Sequence, residues 1–354
     1  MNSPSDASAT ASASAAAAVV RLGPEVVTPG LFTALHTGAV VARADAAVLA
    51  VSGPGAVLCV QGLLTNDIEK PGDEAFVYGA LLTPKGMIVV DGWAARQGAT
   101  VTYTVPADVR DRALAIFTRA LPPRLARVRD QSAEVAVLRV TGAHALAISH
   151  AAGIPVAPVG RVAHPVPSEP AWEVARANEQ ASFAAQIVAP LADADRVSER
   201  LVAAGALAAG NVALECARIL AGWPRVGAEV DDKTIPQEVR LDELGGVSYT
   251  KGCYTGQETV SRLHFRGHVN RFLRGLLFDG EPAAASPAVV HLDREVGRLT
   301  SIMWAPEPRI AGAGRWIGLA MVRYEVKAGA VVRAGGRDAR LVELPFAVPF
   351  TAPA

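Results

Sequence analysis

The chain has 354 residues, 51% apolar and 19% charged, enough to bury two or three domain cores without disulfides or metals. With 32 glycines and 24 prolines, that balance excludes global disorder, a disulfide scaffold and a coiled-coil rod. Lys plus Arg and Asp plus Glu are equal at 34 each, so no basic excess marks a dedicated nucleic-acid binder.

The three cysteines, Cys59, Cys216 and Cys253, are odd in number and far apart, which suits reduced thiols in a cytoplasmic compartment. Residues 1–20, MNSPSDASATASASAAAAVV, lack the positive start of a secretory signal and the arginines of a mitochondrial presequence. They read as a disordered Ala/Ser-rich tail, with composition for a helical turn or two over Ala15 to Leu22. The mixed run Thr141 to Gly160 contains His144 and His150 and is broken by Pro155, which argues against a membrane span.

In chain order, Val40 to Val51 is an apolar run turned by Ser52-Gly53-Pro54-Gly55. Ala56 to Leu64 has helical spacing in Val57, Val60, Leu63 and Leu64. Phe76 to Leu82 and Met87 to Trp93 predict a hairpin around Thr83-Pro84-Lys85-Gly86. Val101 to Val105 alternates as a strand. Asp108 to Leu121 predicts a helix, with Val109, Ala113, Ile116, Phe117 and Ala120 on one face. Residues 21–130 therefore read as an N-terminal α+β region. Glu134 to Val140, Ala145 to Ile148, Ala171 to Ala175 and Ser182 to Val188 read as strands, and Asp195 to Ala208 as a helix. Periodicity leaves Asn211 to Leu220 open between strand and helix. Residues 131–270 form a second α+β region. From Arg271 the helical period gives way to short runs between Gly/Pro turns: 272–278, 288–290, 295–299, 316–323, 330–333 and 341–348. Residues 271–354 thus predict a small β-barrel or sandwich.

The segment Thr250-Lys251-Gly252-Cys253-Tyr254-Thr255-Gly256-Gln257-Glu258-Thr259-Val260-Ser261-Arg262 stands out, because packing alone does not ask for a cysteine between two glycines. Thr255-x-x-Glu258 has a capping-box pattern, followed by a helix that would bury Val260, Leu263 and Phe265. Cys253 would precede that helix, where the dipole and Lys251 would favour a thiolate. The same residues also suit a half-buried cysteine in a turn. From Lys251 to Arg274 there are five Lys/Arg against one acid, Glu258, which fits an anionic small ligand, a solvated face or, with few aromatics, a nucleic-acid patch. Glu229, Asp231 and Asp232 lack the alternating oxygen ligands of a calcium loop. Gly53-Pro54-Gly55 meets Leu58 where a dinucleotide loop needs its third glycine, and His264/His268 lack the glutamate of a zincin. Cys59 and Cys216 sit in apolar runs and read as core thiols.

Lys251 to Glu258, KGCYTGQE, resembles the signature of the YgfZ-type folate-binding proteins, whose eukaryotic relatives are the Iba57-like iron–sulfur cluster assembly factors. Gln61-Gly62 with Thr65-Asn66-Asp67, the hairpin Leu81 to Gly86, Arg218-Ile219 with Gly222 and Pro224, Pro236 and Glu238, Val296-Gly297 with Thr300-Ser301, and Gly318 to Ala320 are similar to further landmarks of that family. The resemblance covers about residues 40 to 345. It implies an α+β fold of the glycine-cleavage T-protein (aminomethyltransferase) type: two ferredoxin-like units with interleaved segments and a C-terminal β-barrel around a folate-binding opening.

The function this resemblance implies is folate-dependent assistance in maturing or repairing iron–sulfur proteins, especially [4Fe–4S] enzymes. The expected cofactor is tetrahydrofolate or a derivative, with no tightly bound metal or flavin. The expected partners are iron–sulfur assembly proteins or client enzymes, without nucleic acid or membrane, and the expected state is a monomer. Carried over, Cys253 is the signature thiol, and Lys251, Tyr254, Gln257, Glu258 and Arg262 are its cofactor-binding companions. Lys251 would pair with a folate carboxylate or with the thiolate. The alternatives are a tetrahydrofolate-dependent aminomethyltransferase or demethylating enzyme, and a non-catalytic interaction scaffold. The resemblance ranks aminomethyl transfer lower. The T-protein's paired aspartates are reduced here to a single Asp91, and Leu220 stands where its Arg-Leu-Glu-Ala-Gly stretch has glutamate.

Overall fold

Three sheets organise the residues described by the computed structural model, which are 18–163, 171–307, 310 and 312–347. The first is antiparallel, in the order Phe76–Leu82, Ile88–Gln97, Thr100–Pro106, Ala46–Ser52, Arg127–Asp130. Its leading hairpin turns at Thr83–Gly86, where the Thr83 amide donates to the Met87 carbonyl at 2.8 Å. The predicted helix after it is a short 3₁₀ turn and then Arg110–Ala120. This helix buries Ala113 and Phe117, and the Phe117 ring meets Tyr103 edge-on at 5.8 Å. The helix Ala56–Gln61 is shorter than its apolar spacing suggests, since Gly62 caps it.

The second sheet runs Leu207–Ala209, Val40–Arg43, Val135–Thr141, Ala185–Pro190, Glu173–Arg176, Arg161–Val162. The apolar run Val40 to Val51 therefore serves two sheets. Val40–Arg43 pairs with Val135–Thr141, and Ala46–Ser52 lies in the first sheet. Two expectations in this region are corrected. Ala145–Ala151 is a helix, not a strand. The left-handed Gly142 (φ 110°) stops the preceding strand, and a four-residue apolar run carries no period of its own. The helix Ala194–Ala203 ends before Ala208. Gly205 (φ 106°) turns the chain, and Leu207–Ala209 pairs parallel to Val40–Arg43. The ambiguous Asn211–Ala221 is a helix closed by Gly222 in the left-handed region.

The barrel strands are Arg271–Phe278, Ala288–His291, Arg294–Pro306, Gly314–Arg323, Val331–Ala334 and Arg337–Val342. Arg294–Pro306 and Gly314–Arg323 pair to close the sheet, which removes its edges. The run expected at 295–299 extends over thirteen residues, with a register shift between Leu299 and Ser301. The last strand ends at Val342 rather than 348. Of the N-terminal tail, residues 1–17 lie outside the described residues. Val20–Leu22 is neither tail nor helix but a strand parallel to Ser301–Met303.

A buried ion pair ties helix, loop and barrel together. Arg218, 5% exposed, donates to Glu229 at 2.9 Å, to Glu215 at 3.1 Å, to the Trp223 carbonyl at 3.0 Å and to Ser301 at 2.9 Å. Glu229, fully buried, also accepts from Thr300, from Ser301 and from the Arg225 amide. Every charge-bearing oxygen of Glu229 is thus met, as burial of a carboxylate requires. Glu229→Gln takes one of its two carboxylate partners from the buried guanidinium, Glu215 remaining, and is expected to cost about 2–3 kcal/mol in urea unfolding. Substituting Arg218 and Glu229 together by leucine should cost less than the two single changes summed, because neither charge is then left alone.

Candidate functional site

A cleft of ≈ 140 Å³ opens between the first sheet, the second sheet and the segment that follows helix Asn211–Ala221. Its walls are aromatic. Trp93 and Trp223 lie near-parallel at 5.9 Å, Phe183 meets Trp93 edge-on at 5.1 Å, and Tyr78 packs on Trp223 at 4.4 Å. All four are buried.

Asp91 projects into this apolar setting from strand Ile88–Gln97. It is 6% exposed, and its Oδ2 accepts from the Tyr78 hydroxyl at 2.8 Å. Its Oδ1 is buried and has no hydrogen-bond partner. Burial pushes the carboxyl up to about 6, partly opposed by the Tyr78 hydrogen bond. Arg139, on the neighbouring sheet, also lines the cleft, and burial lowers it to about 10. Glu215 contributes a further carboxylate from one and a half turns before Leu220, already paired with Arg218. Asp91, Arg139 and Glu215 were not singled out as site residues from the sequence. The signal for Asp91 was there, since one acid interrupts an otherwise apolar strand. Arg139 and Glu215 carry no such mark.

The cysteine segment is a second place, and none of its residues lines the cleft. Lys251 is buried, and its ammonium donates to the carbonyls of Gln61 at 2.6 Å, Leu64 at 2.6 Å and Asn66 at 2.9 Å. It stands 5.0 Å from the Tyr254 ring centre. The pairing expected with the thiolate or a ligand carboxylate is therefore replaced by a clamp on the carbonyls that follow helix Ala56–Gln61. Burial lowers Lys251 to about 8, against the pull of Asp67 and Glu69. Tyr254 is buried with its hydroxyl unpartnered, Gln257 is half-buried, and Cys253, Glu258 and Arg262 are exposed.

The expected capping box does not form. Helix Gln257–Arg266 is capped by Gly256 at φ 83° with no side-chain bond. Gly256 is needed for contact: a Cβ there would lie 2.6 Å from the Thr83 carbonyl, and one on Gly86 would lie 2.8 Å from Thr259. Gly86 and Gly256 thus let the hairpin turn and the cysteine segment touch. Val260 is buried, Leu263 half-buried and Phe265 68% exposed, so the expected apolar face is narrower. His264 stacks on Tyr249 at 3.6 Å.

Much of the expected basic patch is neutralised within the fold. Arg271 pairs with Asp231 and Glu238, and Arg274 with Glu343. Asp231 is held down at about 2, its burial outweighed by hydrogen bonds from Arg271 and Thr234. Glu229 is bound to Arg218 and Asp231 to Arg271 and Thr234, so two of the three acids Glu229, Asp231 and Asp232 are committed within the fold. No group of three or more His, Cys, Asp or Glu suited to a metal occurs among the described residues. No helix among them is long and apolar enough to cross a membrane.

A family model described as the GCVT N-terminal domain matches residues 39–154. An aminomethyltransferase of Rubrobacter xylanophilus is 30% identical over 330 residues, covering 90% of this chain and 82% of that protein. A tRNA-modifying protein YgfZ of Vibrio vulnificus is 44% identical over 79 residues, and the chain spans only 24% of its length. The glycine cleavage system aminomethyltransferase T of Bartonella henselae superposes with a TM-score of 0.71 at 17% identity, covering 91% of this chain and 89% of that one, which shows a shared fold.

Two outcomes follow. Lys251→Met removes the donor from three carbonyls and should lower stability by about 3 kcal/mol in denaturant unfolding. Asp91 is raised above its ordinary value in the fold, so the stability it contributes is present below about pH 4 and lost as pH rises through about 6. Asp91→Asn, which still accepts from Tyr78, should therefore be more stable than wild type by about 2–3 kcal/mol at pH 7.5. That gain should vanish near pH 4, as read from unfolding curves at both pH values.

Proposed function

This chain belongs to the aminomethyltransferase family, and we propose that it binds a reduced folate in the aromatic cleft and uses Asp91 in transferring a one-carbon unit from an aminomethyl donor to that folate. The observation that carries this reading is the buried, unpartnered Oδ1 of Asp91 in the cleft. An orphaned carboxylate oxygen in an apolar wall is costly unless a ligand donates to it. The residues fit a reduced pterin, since Trp93, Trp223 and Phe183 offer flat apolar surface and Asp91 an acceptor for an N–H edge. The similarity that spans most of both chains is to an aminomethyltransferase, whereas the similarity to YgfZ proteins spans about a quarter of theirs. This reverses the order in which the sequence alone ranked the two functions.

The chemistry asks for a group that takes a proton from the attacking amine nitrogen and supplies one to the departing amine. Asp91, held near 6, is ionised at neutral pH yet close enough to it to pick up a proton. Tyr78 occupies Oδ2, so Oδ1 is the oxygen that works. Its strand, paired on both sides, holds it in place.

The test is turnover of an aminomethyl donor with tetrahydrofolate, followed as methylene-folate and ammonia. Asp91→Asn should lower kcat by about a hundredfold or more while folate Kd changes by less than about tenfold. Wild-type turnover should fall about tenfold per pH unit below 6. Saturable folate binding without turnover would overturn transfer. A second reading, iron–sulfur protein maturation, is favoured by the exposed Cys253 in a segment that keeps clear of the cleft. It predicts that deleting the gene lowers a [4Fe–4S] dehydratase but not a cluster-free enzyme, with rescue by wild type and not by Cys253→Ala.

A further inference from the structure

Strand Phe76–Leu82 carries Tyr78 and lies at the edge of the first sheet, with Ile88–Gln97 as its neighbour there. Tyr78 stands opposite Trp93 and Ala80 opposite Asp91, so Tyr78 and Asp91 are diagonal neighbours across that ladder. An edge strand leaves a row of amides and carbonyls to be met from outside the sheet. Thr65 and Asn66 meet them at two positions. Asn66 Nδ2 donates to the Tyr78 carbonyl at 2.7 Å, the Thr65 amide donates to the Ala80 carbonyl at 3.0 Å, and the Ala80 amide donates to the Thr65 hydroxyl at 2.8 Å. The same two side chains reach the segment before the cysteine motif. Asn66 Nδ2 also donates to the Gly245 carbonyl at 2.7 Å, and Thr65 Oγ1 to the Gly246 carbonyl at 2.6 Å. Asn66 Oδ1 accepts from the Asp67 amide at 2.8 Å, which fixes the orientation of its side chain. Gly246 is thereby set against Tyr78: a Cβ there would lie 2.9 Å from the tyrosine ring.

Thr65, Asn66 and Gly246 do not line the cleft, yet they set where the Tyr78 hydroxyl lies. The Tyr78 backbone is held by Asn66, and its ring packs against Gly246, Trp93 at 5.5 Å and Trp223 at 4.4 Å. Its hydroxyl then donates to Asp91 Oδ2 at 2.8 Å. We infer that Asn66 is a positioning residue for the transfer reaction: it fixes Tyr78, whose hydroxyl holds Oδ2 of Asp91 and so leaves Oδ1 presented to the substrate. This rests on the reading that Asp91 moves the proton, and it gives the Thr65-Asn66-Asp67 landmark a part in that step. The other titratable groups that face Asp91 are Tyr103 from strand Thr100–Pro106, Arg139 from strand Val135–Thr141 and Asp108 from the 3₁₀ turn, and they act on it through charge. Tyr78 acts through a hydrogen bond that favours the ionised carboxylate against the effect of burial. A displaced or missing hydroxyl therefore moves Asp91 further up.

The ionisation of Asp91 is read in two ways: as the acid limb of the pH–turnover profile, and by carbon NMR titration of its carboxyl, assigned with Asp91→Asn. The second needs no turnover. Tyr78→Phe keeps the ring and removes the hydroxyl. It should raise both midpoints by about one pH unit and lower kcat near pH 6 by about fivefold, with folate Kd changed by less than about threefold. Asn66→Ala should move both midpoints the same way by about half a unit. Gly246→Ala keeps every hydrogen bond named above and presses on the ring, and should act in the same direction. In the Tyr78→Phe background neither change should move either midpoint further, because both act through the hydroxyl. A folded Asn66→Ala protein that loses stability but keeps the wild-type midpoints overturns the inference and makes Asn66 scaffold alone. An Asn66→Ala effect of equal size with and without the hydroxyl also overturns it. If Asn66→Ala does not fold, Gly246→Ala decides by the same two criteria. If wild type transfers nothing while the NMR midpoints respond as stated, the transfer reading falls and the hold of Asn66 on Asp91 stands.

Discussion

The contact on which the arrangement depends is the buried pair Arg218–Glu229. Arg218 belongs to the last turns of helix Asn211–Ala221, Glu229 to the loop that follows, and Thr300 and Ser301 to a barrel strand. One salt bridge therefore fixes how helix, loop and barrel meet. Because Arg218 also holds the Trp223 carbonyl and Glu215, it fixes one wall of the cleft. Burying two charges is not an efficient source of stability, since desolvation cancels most of the attraction. What the pair supplies is a single register: shift the barrel strand by one residue, and both hydroxyls leave the carboxylate.

The cleft and the cysteine segment spend their polar groups in opposite ways. Around Lys251 every proton is committed, and the cation serves as a staple for a chain reversal. Thr65 and Asn66 do similar work nearby, donating to the carbonyls of Gly246 and Gly245. In the cleft, Asp91 and Arg139 keep one group each in reserve, and burial moves both away from their ordinary ionisation. Groups left unsatisfied at a cost in stability are the usual mark of a binding site, whereas satisfied ones mark a scaffold. By that criterion Lys251 is architecture, whereas the buried, unpartnered hydroxyl of Tyr254 three residues on is not. The exposed thiol of Cys253 stands beside it as a group that the fold does not use.

Legibility varied with how local the deciding force was. The strand Phe76–Leu82 and the hairpin at Thr83–Gly86 were readable because alternation and turn chemistry act within a few residues. Helix Arg110–Ala120 was readable from its apolar face. Ala145–Ala151 was misread and Asn211–Ala221 left open because short apolar runs satisfy either period, and only the covering sheet chooses. The split of Val40 to Val51 between two sheets was invisible, since nothing in that run says which partner strand arrives.

By itself the sequence determined the α+β, α+β, all-β order, the barrel, the family resemblance and the one segment rich in unusual residues. Those follow from periodicity, turn residues and motif, which are properties of neighbours along the chain. Tertiary structure decided the site. Asp91 became a raised carboxylate only when Trp93, Tyr78 and Trp223 closed around it, and Lys251 became a backbone clamp when three carbonyls from residues 61 to 66 came within reach. Arg139 reaches the same cleft as Asp91 only because the second sheet packs beside the first. Desolvation and hydrogen-bond satisfaction depend on what surrounds a group in space, and residues distant in sequence supply those surroundings.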